Sequence, residues 1–408
     1  MSPVSALVAF LSLCALTGCV SYSFKKVDTT TPIQARHDIP EHELLDVGIV
    51  VFDPGIPADE KQREEEGVYP QVRKAESRYI PFTLKETLQN TAQWGAVRVI
   101  PTGTNSVDVQ VHGKIIHSDG ETLTLDVKAK DASGREWLKK RYTYSTSEYA
   151  YSENLPVKDM DPFQDIYDTI ANDLLAARNR LSSNDIQDIR IISELKFAGD
   201  LSPYAFKEYL SRNDEGDYEI QRLPARGDPM LTRVRGIRQR EYMFIDTLDA
   251  YYANFYRGMQ GPYKDWREAS YDETVALQEI KGSALKRMLL GAASVIGGFA
   301  LAAGSESAAS SAVGNIAVLG GAAALASGVD KYSQSQIHAD ALEELGASFE
   351  AEAKPRVVEL EDKTVTLTGS LEEQFKEWRR MLKEIYKTET GFSLGNGAHG
   401  EPQRTRNL

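Results

Sequence analysis

The stretch VDVQVHGKIIH, residues 107–117, decides the fold because apolar and polar residues alternate along it. On one face of an extended chain fall Val107, Val109, Val111, Gly113 and Ile115. The opposite face receives Asp108, Gln110, His112 and Lys114. Such alternation predicts a strand with one buried and one polar face. SDGE and DASGRE then predict turns into strands over 122–129 and 137–145, which completes a three-stranded meander.

Toward the amino terminus, VGIVVFDPG, residues 47–55, is a β-branched run closed by turn-forming residues. It predicts a buried strand, and the charged residues 56–73 predict a loop. A helix is expected from Pro81, which suits a first turn. Its apolar face comprises Phe82, Leu84, Leu88 and Ala92. A short strand over 97–100 then leads to the meander.

After the meander, the sequence predicts a closing helix. Asp161 is a suitable N-cap, Pro162 suits the first helical position and Gln164 suits the third. Apolar residues recur at spacings of three and four at Phe163, Ile166, Tyr167, Ile170, Leu174, Leu175 and Leu181. This helix is expected to cover the open face of the sheet. The predicted fold class is therefore α+β, with the order β-α-β-β-β-β-α over residues 45–182.

The amino terminus predicts an export signal. Residues 4–16 are apolar but too short to span a bilayer. The next residues complete LTGC, residues 16–19, which resembles the bacterial lipobox. Signal peptides usually begin with a positively charged region, but the first ten residues contain no Lys or Arg. The resemblance implies that residues 1–18 are a signal peptide and that Cys19 carries lipid. The alternative is a buried apolar helix.

Lipidation at Cys19 would fix the location of the mature chain. Cleavage would remove Cys14, the other cysteine, and leave no pair for a disulfide. Val20, where an aspartate would stand in inner-membrane lipoproteins, implies the outer membrane by resemblance to Gram-negative lipoproteins. Residues 19–44 are expected to form a tether. The body would then face the periplasm.

The net charge of −13 over 408 residues argues against nucleic acid as a partner, because phosphate binding needs a basic surface. The arginine-containing stretch 222–240 has no interleaved stacking aromatics and is interpreted as a solvated loop and helix start. No nucleic-acid partner is therefore predicted.

Four segments carry a resemblance to known envelope proteins: VGIVVFDPG, IPFTLKETLQNTAQWGAVRVIP, VDVQVHGKII and FQDIYDTIANDLL. Over residues 44–182 the chain resembles the small periplasmic domain of the curli-secretion lipoprotein. It also resembles the amino-terminal domain of the propeller protein of the Tol system. The phrases AESRYIPFTLKETLQNTAQWGAVRVIP and HSDGETLTLDVKAKDASGREW are similar to a group of proteobacterial lipoproteins of unassigned function. These resemblances imply an envelope location and no catalytic activity.

Residues 200–288 are predicted to be helical. Aromatic and apolar residues keep helical spacing at Phe244, Leu248, Tyr251, Tyr252, Phe255 and Tyr256. Two interpretations follow from this spacing. The residues form the core of a helical hairpin, or they form a stacking platform for sugars such as peptidoglycan.

Two uncharged Gly/Ala runs follow, at residues 289–304 and 313–329. Glycine costs about 1 kcal/mol in a helix, so its repeated use indicates close backbone contact. The glycines at seven-residue spacings are Gly291 and Gly298, Gly297 and Gly304, and Gly314, Gly321 and Gly328. This spacing predicts a helical hairpin over residues 289–329, here called the glycine segment. Its outer face is expected in a membrane, against other copies of the chain, or in the chain's own core.

The carboxy-terminal part, residues 334–388, is predicted as a polar helix over 334–351, two short strands and an amphipathic helix. The apolar face of this last helix consists of Phe375, Trp378, Met381, Leu382 and Ile385. Around VELEDKTVTLTGSL, residues 355–386 resemble half of a BON domain, a periplasmic module linked to membrane association. Residues 390–408 are expected to be a disordered tail.

Catalytic patterns are nearly absent from the sequence. GFSLG, residues 391–395, matches a nucleophile elbow but lacks the strand and helix that the motif needs. The six histidines show no metal-ligand spacing, so neither metal nor cofactor is predicted. The sequence therefore predicts a non-enzymatic, outer-membrane-anchored assembly component that binds envelope proteins or its own copies. A peptidoglycan-binding or peptidoglycan-modifying lipoprotein is the alternative, and a lipid-presenting transport accessory is a third class.

Overall fold

The computed structural model describes residues 30–151, 161–301, 356–360, 363–367 and 370–390, and it confirms the α+β class. A mixed five-stranded sheet occupies the amino-terminal part. Its strands are β1 Val47–Val50, β2 Val97–Ile100, β3 Val109–Ser118, β4 Thr122–Asp131 and β5 Glu136–Ser145. They lie in the order β2-β1-β3-β4-β5. β1 runs parallel to both of its neighbours, and β3, β4 and β5 are antiparallel.

Strand β3 begins two residues later than the alternation predicts. The carbonyl of Asp46 accepts hydrogen bonds from the amides of Asp108 and Val109, so the chain enters the sheet at that point. Val107 consequently packs in a different apolar cluster from Val109 and Val111. The prediction that Val107 shares their face is therefore wrong.

Seven α-helices lie in the described part of the chain. They are α1 Glu60–Glu65, α2 Pro70–Asn90, α3 Gln164–Arg178, α4 Ser183–Leu201, α5 Pro203–Phe206, α6 Pro229–Leu301 and α7 Leu371–Thr390. Two small hairpins accompany them, β6 Leu210–Arg212 with β7 Tyr218–Ile220, and β8 Arg356–Leu360 with β9 Lys363–Leu367. The first hairpin corrects the prediction that residues 200–288 are helical throughout. The predicted polar helix 334–351 and tail from residue 391 onward lie outside the described residues.

Helix α2 begins at Pro70, eleven residues before the predicted start at Pro81. Proline inside a helix leaves the carbonyl four residues earlier without its usual donor. Here that carbonyl belongs to Ser77, and it accepts the amide of Phe52 at 3.0 Å, just beyond β1. The sheet thus satisfies the group that Pro81 frees, and the helix continues.

Two apolar clusters lie on opposite sides of α2. Ile80, Leu84 and Leu88 pack with the sheet and α3. Tyr79 and Phe82, on the other side of the helix, pack with α4, α6 and α7. Residues on both sides of the predicted domain boundary at residue 182 therefore share a core. We call the sheet together with α2, α3 and α4 the body.

Two predicted features before and after the sheet are also corrected. Helix α3 begins at Gln164, and Asp161 accepts the amide of Phe163 at 2.9 Å instead of acting as the N-cap of the first turn. The predicted tether 19–44 is too long. Within it, the amide of Ile33 donates to Asn172 at 2.9 Å, which fixes this part of the segment to α3.

Candidate interaction site

The predicted site residues fall partly within the described chain. Gly291, Gly297 and Gly298 lie in the last turns of α6, where seven residues correspond to about two turns, so Gly291 and Gly298 share one stripe. Outside the described residues lie Cys19, Gly304, Gly314, Gly321 and Gly328. Among the described helices, none has a stretch both long and apolar enough to cross a membrane. The described part of the glycine segment is thus the end of α6.

Helix α6 has 73 residues, which corresponds to about 110 Å. A buried ion pair fixes its middle to the body. Both nitrogens of the Arg267 fork contact the Asp161 carboxylate at 2.9–3.1 Å, and both side chains are almost fully buried. The guanidinium also lies 4.1 Å from the ring centroid of Tyr263. Burial lowers the pKa of Arg267, but Asp161 together with Tyr263, Tyr79 and Tyr151 more than offsets this and holds the pKa above its usual range.

A buried carboxylate adds a second connection at the same level. Glu76 of α2 is fully buried and accepts hydrogen bonds from Ser118 at 2.5 Å and from Tyr263 at 2.6 Å. Arg73 lies 3.8 Å away on the same helix. Burial raises the pKa of Glu76. One carboxyl group therefore joins α2, β3 and α6.

The turn between β3 and β4 packs directly against α6. Ser270 and Thr274 donate to the Asp119 carbonyl at 2.7 and 3.4 Å. Gly120 follows with a φ of +79°, and a Cβ atom there would lie 2.2 Å from the Arg267 carbonyl oxygen. This close approach and the positive φ both require glycine.

Helix α7 packs against α6 through ion pairs and aromatic contacts. Arg379 donates to the carbonyl of Gly103 at 2.6 Å and to Asp200 at 2.5 Å. Its Nε atom lies 3.3 Å from Glu241, a carboxylate of α6 whose pKa is raised by burial. Trp378 stacks near Phe244 with ring centroids 5.2 Å apart. The chain thus leaves the body along α6 and returns to the same helix through α7.

The aromatic face of α6 is part of this core, although α6 is one continuous helix and not the predicted helical hairpin. Phe244, Leu248, Tyr252 and Phe255 are buried, and Tyr251 and Tyr256 are partly buried against the same cluster. Sugar stacking needs exposed ring faces, which these buried rings do not offer. The platform proposed for peptidoglycan is therefore not formed by this face.

The charged groups that hold α6 have a recognisable sequence signal. Glu241 keeps helical spacing with the apolar Phe244, Ile245 and Leu248, and Arg267 keeps it with Tyr263. A charged residue on an apolar stripe is expected to be paired, because an isolated buried charge is costly. The partners, however, lie far away along the chain and have no such signal.

Chemically, these clusters are suited to holding elements together. Glu76 and Glu241 are buried and offer no path to a substrate. Across the residues that the structure describes, no group of His, Cys, Asp and Glu is arranged to hold a metal ion. Comparison with family models, curated proteins and solved structures finds no significant match. Functional inference therefore depends on this geometry and on the sequence.

Proposed function

We propose that this protein is an outer-membrane-anchored periplasmic lipoprotein that serves as an assembly component of an envelope complex. The LTGC stretch, with lipid on Cys19, supports the anchor. The order of strands and helices over residues 47–178 supports a small envelope domain of the predicted kind. Within this proposal the body binds envelope proteins, and the glycine segment mediates contact with a membrane or with other copies of the chain.

One observation carries the proposal: α6 runs without interruption from the buried ion pairs into the uncharged glycine-rich sequence. Beyond Thr274, which contacts the turn of the sheet, the helix continues for about 40 Å to Leu301. A helix held this firmly at its middle can present its end in a fixed direction. Glycines on one stripe then favour a close backbone contact with another helix.

The anchor is tested by fractionation. Cys19→Ala should release the protein from the membrane fraction, because the acyl chains supply the membrane affinity. Wild-type protein and the Cys14→Ala variant, which keeps the lipidated cysteine, serve as controls. If Cys19→Ala still pellets after a carbonate wash, acylation is not the sole anchor, and the uncleaved residues 4–16 or the glycine segment bind the membrane.

The partner is tested by crosslinking in intact envelopes. A cysteine placed at Ala292 or Ser294 in the last turns of α6 should form crosslinks to a second copy or to another envelope protein. A cysteine at Lys207, an exposed residue just after α5, is the comparison. If the cysteines at Ala292 and Ser294 give no crosslinks beyond those seen with the cysteine at Lys207, the glycine segment is not the assembly surface.

A further inference from the structure

The amino-terminal segment is held against the body at one end of helix α2. The amide of Ala35 donates to the carbonyl of Thr91, which directly follows α2, at 2.8 Å. The amide of Ile33 donates to Asn172 of α3 at 2.9 Å, and the side chain of Gln93 donates to the Ile33 carbonyl at 3.4 Å. These hydrogen bonds fix the place where the chain from the proposed lipid anchor reaches the body.

Helix α6 runs antiparallel to α2 and leads away from this place. Lys85, near the end of α2, lies 2.8 Å from Asp249 of α6. Tyr69, which directly precedes α2, packs against Trp266, farther along α6, with ring centroids 6.4 Å apart. Successive residues of α6 thus approach the start of α2, whereas the amino-terminal segment is held at its other end.

The helical rise of about 1.5 Å per residue gives the separation of these two points. Along α2, Thr91 lies about 22 Å from Glu76, which accepts a hydrogen bond from Tyr263 of α6. From Tyr263, α6 continues for about 57 Å to Leu301, and this stretch contains no proline that would bend it. The end of α6 therefore lies roughly 80 Å from the place where the amino-terminal segment is held.

The link to the anchor is short by comparison. The stretch from Cys19 to Ile33 spans at most about 50 Å when fully extended, and about 20 Å as a flexible coil. If α6 entered the same membrane from Leu289 onward at the usual tilt of about 20°, the held segment would lie about 58 Å from the membrane surface. Even a fully extended link falls short of that distance.

We infer, on the basis of the proposed lipid anchor, that the end of α6 points away from the membrane that holds Cys19 and contacts other copies of the chain. Of the two contacts proposed for the glycine segment, this geometry disfavours the anchoring membrane. Copies held by identical links present their helix ends at the same height. Residues 289–304 have no charge, whereas the whole chain carries −13, so contact at this end avoids the repulsion between like-charged bodies.

Energy transfer to the membrane tests the direction of α6. The lipidated full chain is reconstituted on vesicles of phosphatidylethanolamine and phosphatidylglycerol that contain an acceptor-labelled lipid. A donor dye is attached at Gln34→Cys or Asp265→Cys, both exposed positions, or at Ser294→Cys near the end of α6. Transfer should be strongest from Gln34→Cys, weaker from Asp265→Cys and weakest from Ser294→Cys.

The other outcomes separate this inference from the proposed anchor. Transfer from Ser294→Cys that is as strong as from Gln34→Cys would overturn the inference and leave the anchor intact. No transfer from any of the three positions would mean that the chain is not anchored, and would overturn the proposed function together with the inference.

Transfer between copies tests the partner. Donor-labelled and acceptor-labelled Ser294→Cys proteins are mixed and reconstituted on unlabelled vesicles of the same composition. Contact between copies predicts transfer that persists when the protein is diluted with lipid. Transfer that falls in proportion to the protein density would reflect chance proximity and would overturn the inference.

Discussion

The middle of α6 and the end of α6 differ in how they make contacts. Around Arg267 the helix is fixed by buried charges, each with a specific partner in the body. From Leu289 onward it has no charge, and glycines take the positions that side chains would otherwise fill. Buried ion pairs contribute geometric specificity more reliably than stability. A stripe of glycines allows the backbones of two helices to approach closely. We infer that the first region sets the direction of the helix and the second makes the contact.

The largest effect is expected from breaking the buried pair. Arg267→Met would leave Asp161 buried, with Tyr79 at 3.3 Å and the amide of Phe163 as its donors among the described residues. Removing one partner of a buried pair costs about 3–5 kcal/mol of unfolding free energy. Urea unfolding measures this loss.

The double variant Arg267→Met with Asp161→Asn is the matched control. It removes both charges and keeps an oxygen that accepts the amide of Phe163, so most of the stability should return. A double variant as unstable as Arg267→Met alone would mean that packing around the arginine, and not the ion pair, holds α6.

The next largest loss of stability is expected at the turn between β3 and β4. Gly120→Ala adds a Cβ atom that collides with the α6 backbone at a positive φ, and about 2–4 kcal/mol should be lost. Gly227 has nearly the same φ, +77°, with nothing within 4 Å of an added Cβ. Gly227→Ala should therefore lose only about 1 kcal/mol. Equal losses in thermal or urea unfolding would show that the contact with α6 is unimportant.

A smaller effect follows from the buried carboxyl of Glu76. Because burial raises its pKa in the folded state, folding takes up a proton, and acidification favours the folded state at this group. The stabilisation is complete below the pKa of the unfolded carboxyl and is lost as pH rises through the raised pKa. Glu76→Gln does not titrate and still offers an oxygen to Ser118 and Tyr263.

The measurement compares the unfolding free energies of wild type and Glu76→Gln between about pH 8 and pH 4. The unfolding free energy of wild type should rise relative to that of the variant as the pH falls. Contributions from other carboxyl groups largely cancel in this difference. A difference that is independent of pH would show that Glu76 keeps an ordinary pKa.

The strands could be predicted from the sequence because apolar and polar residues alternate wherever a strand buries one face. The helix start at Pro70 could not, since its stability depends on Phe52 donating to the carbonyl that Pro81 frees. The hairpin at β6–β7 was missed because its strands have only three residues each, too few for a periodic signal. Arg267 lies on an apolar stripe, but nothing local identifies Asp161 as its partner. Local patterns thus predict elements, and long-range pairs emerge only from the fold.

The central claim, that the end of α6 makes close helix contacts while the body holds the middle of the helix, is tested by particle mass. Gly298→Leu adds a branched side chain to the glycine stripe, and Ala292→Leu adds the same side chain about 120° away around the helix, outside the stripe of Gly291 and Gly298. Light scattering of the detergent-solubilised protein should show a smaller particle for Gly298→Leu alone, with the melting temperature of the body unchanged in both. Equal masses for wild type, Gly298→Leu and Ala292→Leu would contradict the claim.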